Sequence, residues 1–439
     1  MEKTISLARG MRDVLPEEQK YWARLRSVAA TRLQSFGFLP IDTPVVESKE
    51  LYLRGTGADT DIAQKELFAV SRIGTRSDEA DEGTDRELVL RPEGTAGIAR
   101  AYVEHGMRTW SQPVKLYSFV QNFRYDRPQK GRYRQHSQLS VEVFGDDTPL
   151  TDAMTLLALW QIIQDLQLDG ESVIELNSIG DKACRGQIRA ALKAYYEPLL
   201  PHLCANCQER FATNPLRLLD CKEKECQQYR EAAPATIDSL CSDCRSHFML
   251  VLEYLDEAGV PYDLNPYLVR GLDYYTRTTF EIRHKDDPGR QAALGGGGRY
   301  DDLVETLGGT ATPAFGFGLG MERVVERLID RGIEVEPMAG TEILVIQLGD
   351  RAKKKAIPLL VSLSKKGLAA SMALGKESLK SQLRSADKMG AKLALIVGER
   401  EAIDGTIIVR NMFDGTQDTV AFEDVEQVIE RKMDELAQN

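Results

Sequence analysis

The way strand-like segments follow one another constrains this chain more than any other feature. VKLYSFVQNFRY (residues 114–125), QLSVEVFG (138–145), SVIELNSIG (172–180), TRTTFEIRH (276–284) and LGGGGRYDDLV (294–304) are separated by helical or loop stretches rather than by regular crossover helices. Parallel neighbours need such crossovers, so the pattern predicts an α+β unit on a mainly antiparallel sheet. After GIEVEPMAG (332–340) the character changes: EILVIQLG, GLAASMAL, KLALIVG and TIIVRN alternate with helical stretches, the βαβ signature of a separate small α/β domain. The chain, at 439 residues too long for one compact core, therefore divides into 1–335 and 336–439, with a helical, cysteine-bearing insertion at about 181–258.

Locally, Pro16 precedes an amphipathic helix whose apolar Trp22, Leu25, Val28, Ala29, Leu33 and Phe36 recur at helical spacing. Pro40 and Pro44 then break helices and favour extended chain. Residues 71–86 are polar and Gly-containing, which suits a hairpin tip or loop, and ELVLRPEGT (87–95) resumes a strand. A net charge of −11 excludes a protein that coats nucleic acid through bulk charge. From Arg351 to Lys392, however, eleven Lys/Arg face two acids, which fits either a salt-bridged solvated helix face or a surface for phosphates. No 18-residue apolar window occurs and MEKTISLARGMRD lacks the apolar stretch of a secretory signal, so a cytoplasmic chain without membrane contact is expected.

Six of the seven cysteines fall in Cys204-x2-Cys207, Cys221-x4-Cys226 and Cys241-x2-Cys244. In a cytosolic chain such spacing fits metal better than disulfides. A tetrahedral structural zinc needs four ligands, and the two CxxC pairs, Cys204, Cys207, Cys241 and Cys244, would supply them; free thiols are the alternative.

Three segments carry chemistry. In FRYDRPQKGRYRQHSQ (123–138), Arg124, Arg127, Lys130, Arg132 and Arg134 face one acid, Asp126. A guanidinium fork matches phosphate oxygens, so Arg124 at a strand end is a candidate phosphate clamp, unless the segment is an exposed hairpin with solvated charges. VRGLDYYT (269–276) places Arg270 and a carboxylate beside Tyr274 and Tyr275, which are pocket or core residues. GFGLGMER (316–323) alternates glycines that permit close approach to the backbone before Arg323. It is no dinucleotide fingerprint, lacking the final glycine and the acid about 20 positions on.

Together these segments resemble a known family. FRYDRPQKGRYRQHSQ is similar to motif 2 of class II aminoacyl-tRNA synthetases, GFGLGMER to motif 3, and TPVVESKELY (43–52) to the motif 1 region. VRGLDYYT and GGGGRYDDLV resemble the two signatures particular to histidyl-tRNA synthetases, and LRPEGT (90–95) resembles their amino-acid loop. The resemblance spans nearly the whole chain. It implies a class II antiparallel-sheet catalytic core with a helical insertion, a C-terminal α/β anticodon-binding domain, and a homodimer with motif 1 at the two-fold. It also implies Mg²⁺- and ATP-dependent activation of L-histidine to the adenylate, then transfer to the 3' end of tRNA(His).

Residue by residue, the resemblance gives Arg124, Asp126 and Arg323 to ATP, and Glu93, Gly94, Thr95 and Gln138 to the substrate amino group and its loop. Glu142 and Tyr275 would read the imidazole nitrogens, Tyr274 would line the pocket, and Arg270 would meet the carboxylate and α-phosphate, making Arg270, Arg124 and Arg323 the catalytic set. Physically this is coherent: a carboxylate and a phenol across the ring hydrogen-bond both nitrogens, and a polar pocket left unpaired rejects apolar amino acids without editing. Three departures stand out. Asp126 replaces an acid one methylene longer, His136-Ser137 an aromatic-histidine pair, and Asp302 a position often glycine. Two other classes share some of these features. Synthetase-like regulatory subunits of histidine biosynthesis generally lack the C-terminal domain and erode the motif arginines, both kept here. A pure RNA-binding protein would leave the pocket set unexplained.

Overall fold

The computed structural model describes residues 4–57, 60–71, 87–129, 131–285, 293–337, 340–375 and 377–437. Residues 72–86, expected as loop, and Lys130 lie outside them. The chain forms two compact units, Met1–Val335 and Glu336–Asn439. No helix among the described residues is long and apolar enough to cross a membrane.

In the first unit, α1 (Pro16–Ser35) begins on a proline whose fixed φ suits the first helical position, with Glu17 and Glu18 beside the positive end of the helix dipole. Its buried Trp22, Leu25, Val28, Ala29 and Leu33 pack onto a large sheet. Eight strands form that sheet: β1 (Leu39–Pro40), β2 (Val114–Phe123), β3 (Gln135–Phe144), β4 (Ser172–Ser178), β5 (Tyr262–Leu264), β6 (Thr276–His284), β7 (Ala293–Arg299) and β8 (Ala314–Gly320). Their order is β1-β2-β3-β8-β7-β6-β4-β5, and the parallel pairs are the two terminal ones, β1 with β2 and β4 with β5. The expected antiparallel interior is therefore present. A smaller antiparallel sheet of Val46–Ser48, Leu88–Leu90 and Phe68–Val70 stands beside it.

Period-two alternation gives the large sheet two unlike faces. Leu139, Val141 and Val143 of β3, Phe315, Phe317 and Leu319 of β8, and Phe280 and Ile282 of β6 join one apolar core with α1. The opposite positions on β3 are Gln138, Ser140 and Glu142, and on β8 they are Gly316, Gly318 and Gly320. That second face holds the site described below. Between β4 and β5 lies the mainly helical stretch expected as an insertion, which opens with α4 (Lys182–Tyr196) and α5 (Ala205–Thr213) and ends with α6 (Ser242–Glu257), after α2 (Thr95–Glu104) and α3 (Pro149–Asp165) earlier in the chain. Phe248, Val251, Leu252 and Leu255 of α6 pack into the main core, so the last helix belongs to the body of the unit. A final helix, α7 (Met321–Asp330), follows β8 directly.

One polar network crosses this core. The side chains of Arg299 and Asp152 are both fully buried and ion-paired, His247 Nε2 lies 2.9 Å from the second Asp152 oxygen, and Arg299 also reaches Asp301 at 3.1 Å. It ties β7 to α3 and α6. Removing one partner of a buried pair leaves an uncompensated charge, so Asp152→Ala is expected to destabilise the first unit by about 3 kcal/mol. A urea midpoint of the first unfolding transition equal to that of the unaltered chain would contradict this.

The second unit has β9 (Ile343–Gln347), β10 (Ala370–Met372), β11 (Leu393–Val397), β12 (Thr406–Asn411) and β13 (Gln417–Ala421) in the order β10-β9-β11-β12-β13. Its first three strands are parallel and joined by helices, as expected, while β13 was not foreseen and closes the sheet antiparallel to β12. The basic stretch is not one face. α8 (Asp350–Lys365) packs with Ile343 and Val345 on one side of the sheet, and α9 (Leu379–Met389) packs with Leu344 and Ile346 on the other. Strand alternation thus splits Arg351–Lys392 between opposite surfaces. Lys353, Lys366 and Lys392 pair with Asp350, Glu426 and Glu342, whereas Lys380, Arg384 and Lys388 form an exposed stripe at helical spacing on α9.

Candidate active site

The second face of the large sheet is built around room for side chains. A Cβ on Gly316 would collide with the Glu142 carboxylate, and one on Gly318 with the Gln138 amide. A Cβ on Gly296 of β7 would sit 2.6 Å from Arg270 Nη1. The alternating glycines therefore keep the floor open for three of the polar groups singled out in the sequence.

Glu142 is fully buried. Thr95 Oγ1 donates to one of its oxygens at 2.8 Å and the Tyr300 hydroxyl donates to the other. Burial pushes its carboxyl up to about 8; the two hydroxyls pull it down and the nearby Glu93 pushes it further up. Glu93 caps the start of α2, accepting from the amides of Thr95 at 2.7 Å and Ala96 at 2.8 Å. Burial raises its pKa as well, against those two amides and Arg124. Gly94 sits between Glu93 and α2, with Ser140 so close that a side chain would collide. Gln138 donates to Ser140 Oγ at 2.9 Å and accepts from Asn122 at 3.3 Å.

Tyr274 and Tyr275 stack obliquely with ring centres 4.6 Å apart, and Tyr300 meets Tyr274 edge-on at 5.5 Å. Arg270 pairs with Glu281, its guanidinium carbon 5.9 Å from the Tyr275 ring centre. Burial works against its charge, while Glu281 and the two tyrosines hold it protonated. Tyr300 and Glu281 were not singled out from sequence. Tyr300 lies inside the quoted GGGGRYDDLV, and Glu281 is the polar residue between inward-facing Phe280 and Ile282, a signal that alternation on β6 carries.

A cleft of about 690 Å³ opens above this floor, and Arg124, Asp126, Gln138, Arg270, Glu281 and Arg323 line it. That volume suits a nucleotide-sized ligand. Glu93, Thr95, Glu142, Tyr274 and Tyr275 are not among its lining residues, and each is less than a tenth exposed. Arg124 is held by Pro92 O at 2.8 Å, and Arg323 by Gly131 O at 3.1 Å and by Ala293 O. Asp126 pairs with Arg132 across the β2–β3 connection, and Arg134 lies 3.7 Å from the centre of the Tyr125 ring. Burial, then Arg124, Arg323 and Arg132, press the His136 ring down to about 3, so a neutral imidazole stands among the arginines. Ser137 N–H donates to Glu322 at 2.7 Å, and Asp302 pairs with Lys182 at 2.8 Å, so each departure has a local partner.

The cysteine expectation needs correction. The two CxxC pairs do not face each other: Cys204 and Cys207 gather with Cys221 and Cys226, while Cys241 and Cys244 gather with Cys184 and Asp181. Each pair opens a different helix, α5 or α6, and packing brings each helix start to separate partners.

Residues 10–324 match the family model described as histidyl-tRNA synthetase, and residues 342–432 match an anticodon binding domain. A histidine–tRNA ligase of Desulforamulus reducens is 42% identical over 417 residues, covering 95% of this chain and 97% of its own length. One from Dehalococcoides mccartyi is 43% identical over 412 residues, covering 94% and 96%. The solved structure of apo Staphylococcus aureus histidyl-tRNA synthetase superposes with a TM-score of 0.78 at 32% identity, covering 97% of this chain and 99% of the other.

Proposed function

The chain belongs to the histidyl-tRNA synthetase family, and from that premise we propose how the cleft and these buried groups divide the work of a class II histidine–tRNA ligase. The enzyme uses ATP, histidine and tRNA. In the first step the histidine carboxylate attacks the α-phosphorus of ATP and pyrophosphate leaves; in the second the terminal ribose hydroxyl of tRNA(His) attacks the histidyl carbonyl and AMP leaves. What carries the reading is one arrangement: Arg124, Arg270, Arg323 and Gln138 line one cleft, Gln138 shares its strand face with the buried Glu142, and Arg270 lies against the ring of the buried Tyr275.

Arg124 and Arg323 take the ATP phosphates and base from the two sides of the cleft, with Asp126 holding the motif 2-like connection. Arg270 meets the substrate carboxylate and the α-phosphate, where its planar fork binds two oxygens at once. Glu93, Gly94, Thr95 and Gln138 shape the amino-group site. Glu142 and Tyr275 take the two imidazole nitrogens, Tyr274 walls the ring, and Tyr300 fixes Glu142 in place. Oxygen donors suited to Mg²⁺ are present, since Glu66 and Glu281 line the same cleft, and this ion typically takes one or two carboxylates plus phosphates. When bound it neutralises charge developing on the phosphates.

A second copy of the chain and a cytoplasmic location complete the reading. Leu39, Val45, Val46 and Leu88 leave apolar surface exposed around the motif 1-like segment, which supports a two-fold contact there. The Lys380, Arg384 and Lys388 stripe is the surface of the second unit offered to tRNA phosphates. A structural zinc held by cysteines of the insertion also belongs to this reading.

Histidine-dependent ATP–pyrophosphate exchange, scanned over twenty amino acids without tRNA, tests the reading. Exchange with histidine alone is expected. Histidine binding without exchange would move the chain to the regulatory-subunit class.

A further inference from the structure

The reaction leaves all seven cysteines unused, yet the fold gathers every one of them into two compact groups. In the first, Cys204 stands at the start of α5, Cys207 lies in its first turn, and Cys221 and Cys226 come from the following loop and a short helical turn. The four sulfurs lie within 4.8 Å of one another and three of the residues are buried. Cys204 and Cys221 sulfurs are 3.8 Å apart. Sulfurs on a tetrahedral zinc at about 2.3 Å are separated by about 3.8 Å, whereas a disulfide needs about 2.05 Å. The Cys204 amide donates to Cys226 Sγ at 3.2 Å, the kind of outer contact that steadies a metal-bound thiolate.

The second group joins the starts of α4 and α6. Asp181 caps α4 with one oxygen, accepting from Ala183 at 3.0 Å and Cys184 at 3.2 Å, and Cys184, Cys241 and Cys244 bring their sulfurs within 4.8 Å of its carboxylate and of one another. Here the Cys241 amide donates to Cys184 Sγ at 3.1 Å. The first group has the four-thiolate composition of closed structural sites, and the second offers three thiolates with a carboxylate, also a zinc ligand, whose other oxygen lies 3.7 Å from Arg277.

We propose that the insertion holds two structural zinc ions, one bound by Cys204, Cys207, Cys221 and Cys226, the other by Asp181, Cys184, Cys241 and Cys244. The first closes a loop whose own side chains brace the VRGLDYYT segment. Between its ligands, Asn214 donates to Asp273 at 2.8 Å, Arg217 donates to Gly271 O at 2.9 Å, and Arg210 pairs with Asp61 at 2.8 Å. From beside the second group, Arg185 donates to Tyr275 O. Both ions thereby hold the residues that flank Arg270, and Cys204 and Cys221 themselves line the cleft.

Elemental analysis of the full chain purified in zinc-containing buffer without chelator tests this without any catalytic readout. Two zinc ions per chain are expected, falling to one in Cys221→Ser/Cys226→Ser and to one in Cys241→Ser/Cys244→Ser. Co²⁺ exchanged into the unaltered chain should give thiolate charge-transfer absorption, which keeps the question answerable if a variant fails to fold. Seven freely reactive thiols with no bound metal and no Co²⁺ bands, or disulfide-linked pairs on mass mapping, would overturn both sites. A single ion would overturn whichever site can be mutated without losing it. In pyrophosphate exchange, loss of the first ion should raise KM for histidine about tenfold through misplacement of the braced segment.

Discussion

Arg270→Ala is expected to lower histidine-dependent pyrophosphate exchange by about three orders of magnitude, with kcat falling rather than KM alone rising. The guanidinium lines the cleft, where it pairs with Glu281 and lies near the Tyr275 ring, so it stands pre-aimed before any substrate arrives. A donor fixed where charge develops costs nothing to reorganise, which is why removing one typically slows acyl and phosphoryl chemistry by about 10²–10³. Arg270→Lys keeps the charge and loses the two-pronged fork, so its activity should fall between. Gly296→Ala would not isolate this role, because its Cβ would lie 2.6 Å from the Phe280 carbonyl of β6 as well as from Arg270 Nη1 and would force the strands apart. A drop of less than tenfold in Arg270→Ala, with unfolding unchanged, would move the charge-stabilising role to Arg124 and Arg323.

The role of Arg270 was legible only through the family resemblance of VRGLDYYT, whereas the sheet around it is physically explicit in the sequence. Alternation on β3 separates Leu139, Val141 and Val143 from Gln138, Ser140 and Glu142, and a chain that spells both faces of a strand announces a sheet with one core side and one working side. The alternating Gly316 and Gly318 say the same of β8. What stayed hidden depends on distant packing. CxxC spacing marks a ligand pair at a helix start but not which pairs meet. Cys184 and Cys241 are 57 positions apart and touch only because α4 and α6 begin side by side. Counting charges from Arg351 to Lys392 likewise could not see that α8 and α9 lie on opposite faces, since that follows from how Ile343 and Leu344 point. Tyr300 and Glu281 sit in segments already quoted, but their task appears only once Glu142 and Arg270 are placed beside them.

Glu142 should make histidine recognition depend on pH in a way that Glu142→Gln abolishes. Burial holds its carboxyl at about 8 in the folded chain, against an ordinary value of 4.5. The folded state thus keeps a proton that the unfolded chain releases, so this group's contribution to stability is full below about 4.5 and is lost as pH rises towards 8. Free histidine loses its ring proton near 6.5. A complex that shares one proton between Glu142 and the imidazole needs no proton exchange with solvent between about 6.5 and 8. Above that window the pocket must take a proton back, and KM for histidine should climb about tenfold per pH unit. In Glu142→Gln the alkaline limb should vanish, while kcat/KM at neutral pH falls by about two orders of magnitude because the imidazole loses the carboxyl with which it shares a proton. A wild-type KM that stays flat from neutral to alkaline pH would remove Glu142 from the imidazole, and a limb present in both proteins would belong to the amino group of histidine instead.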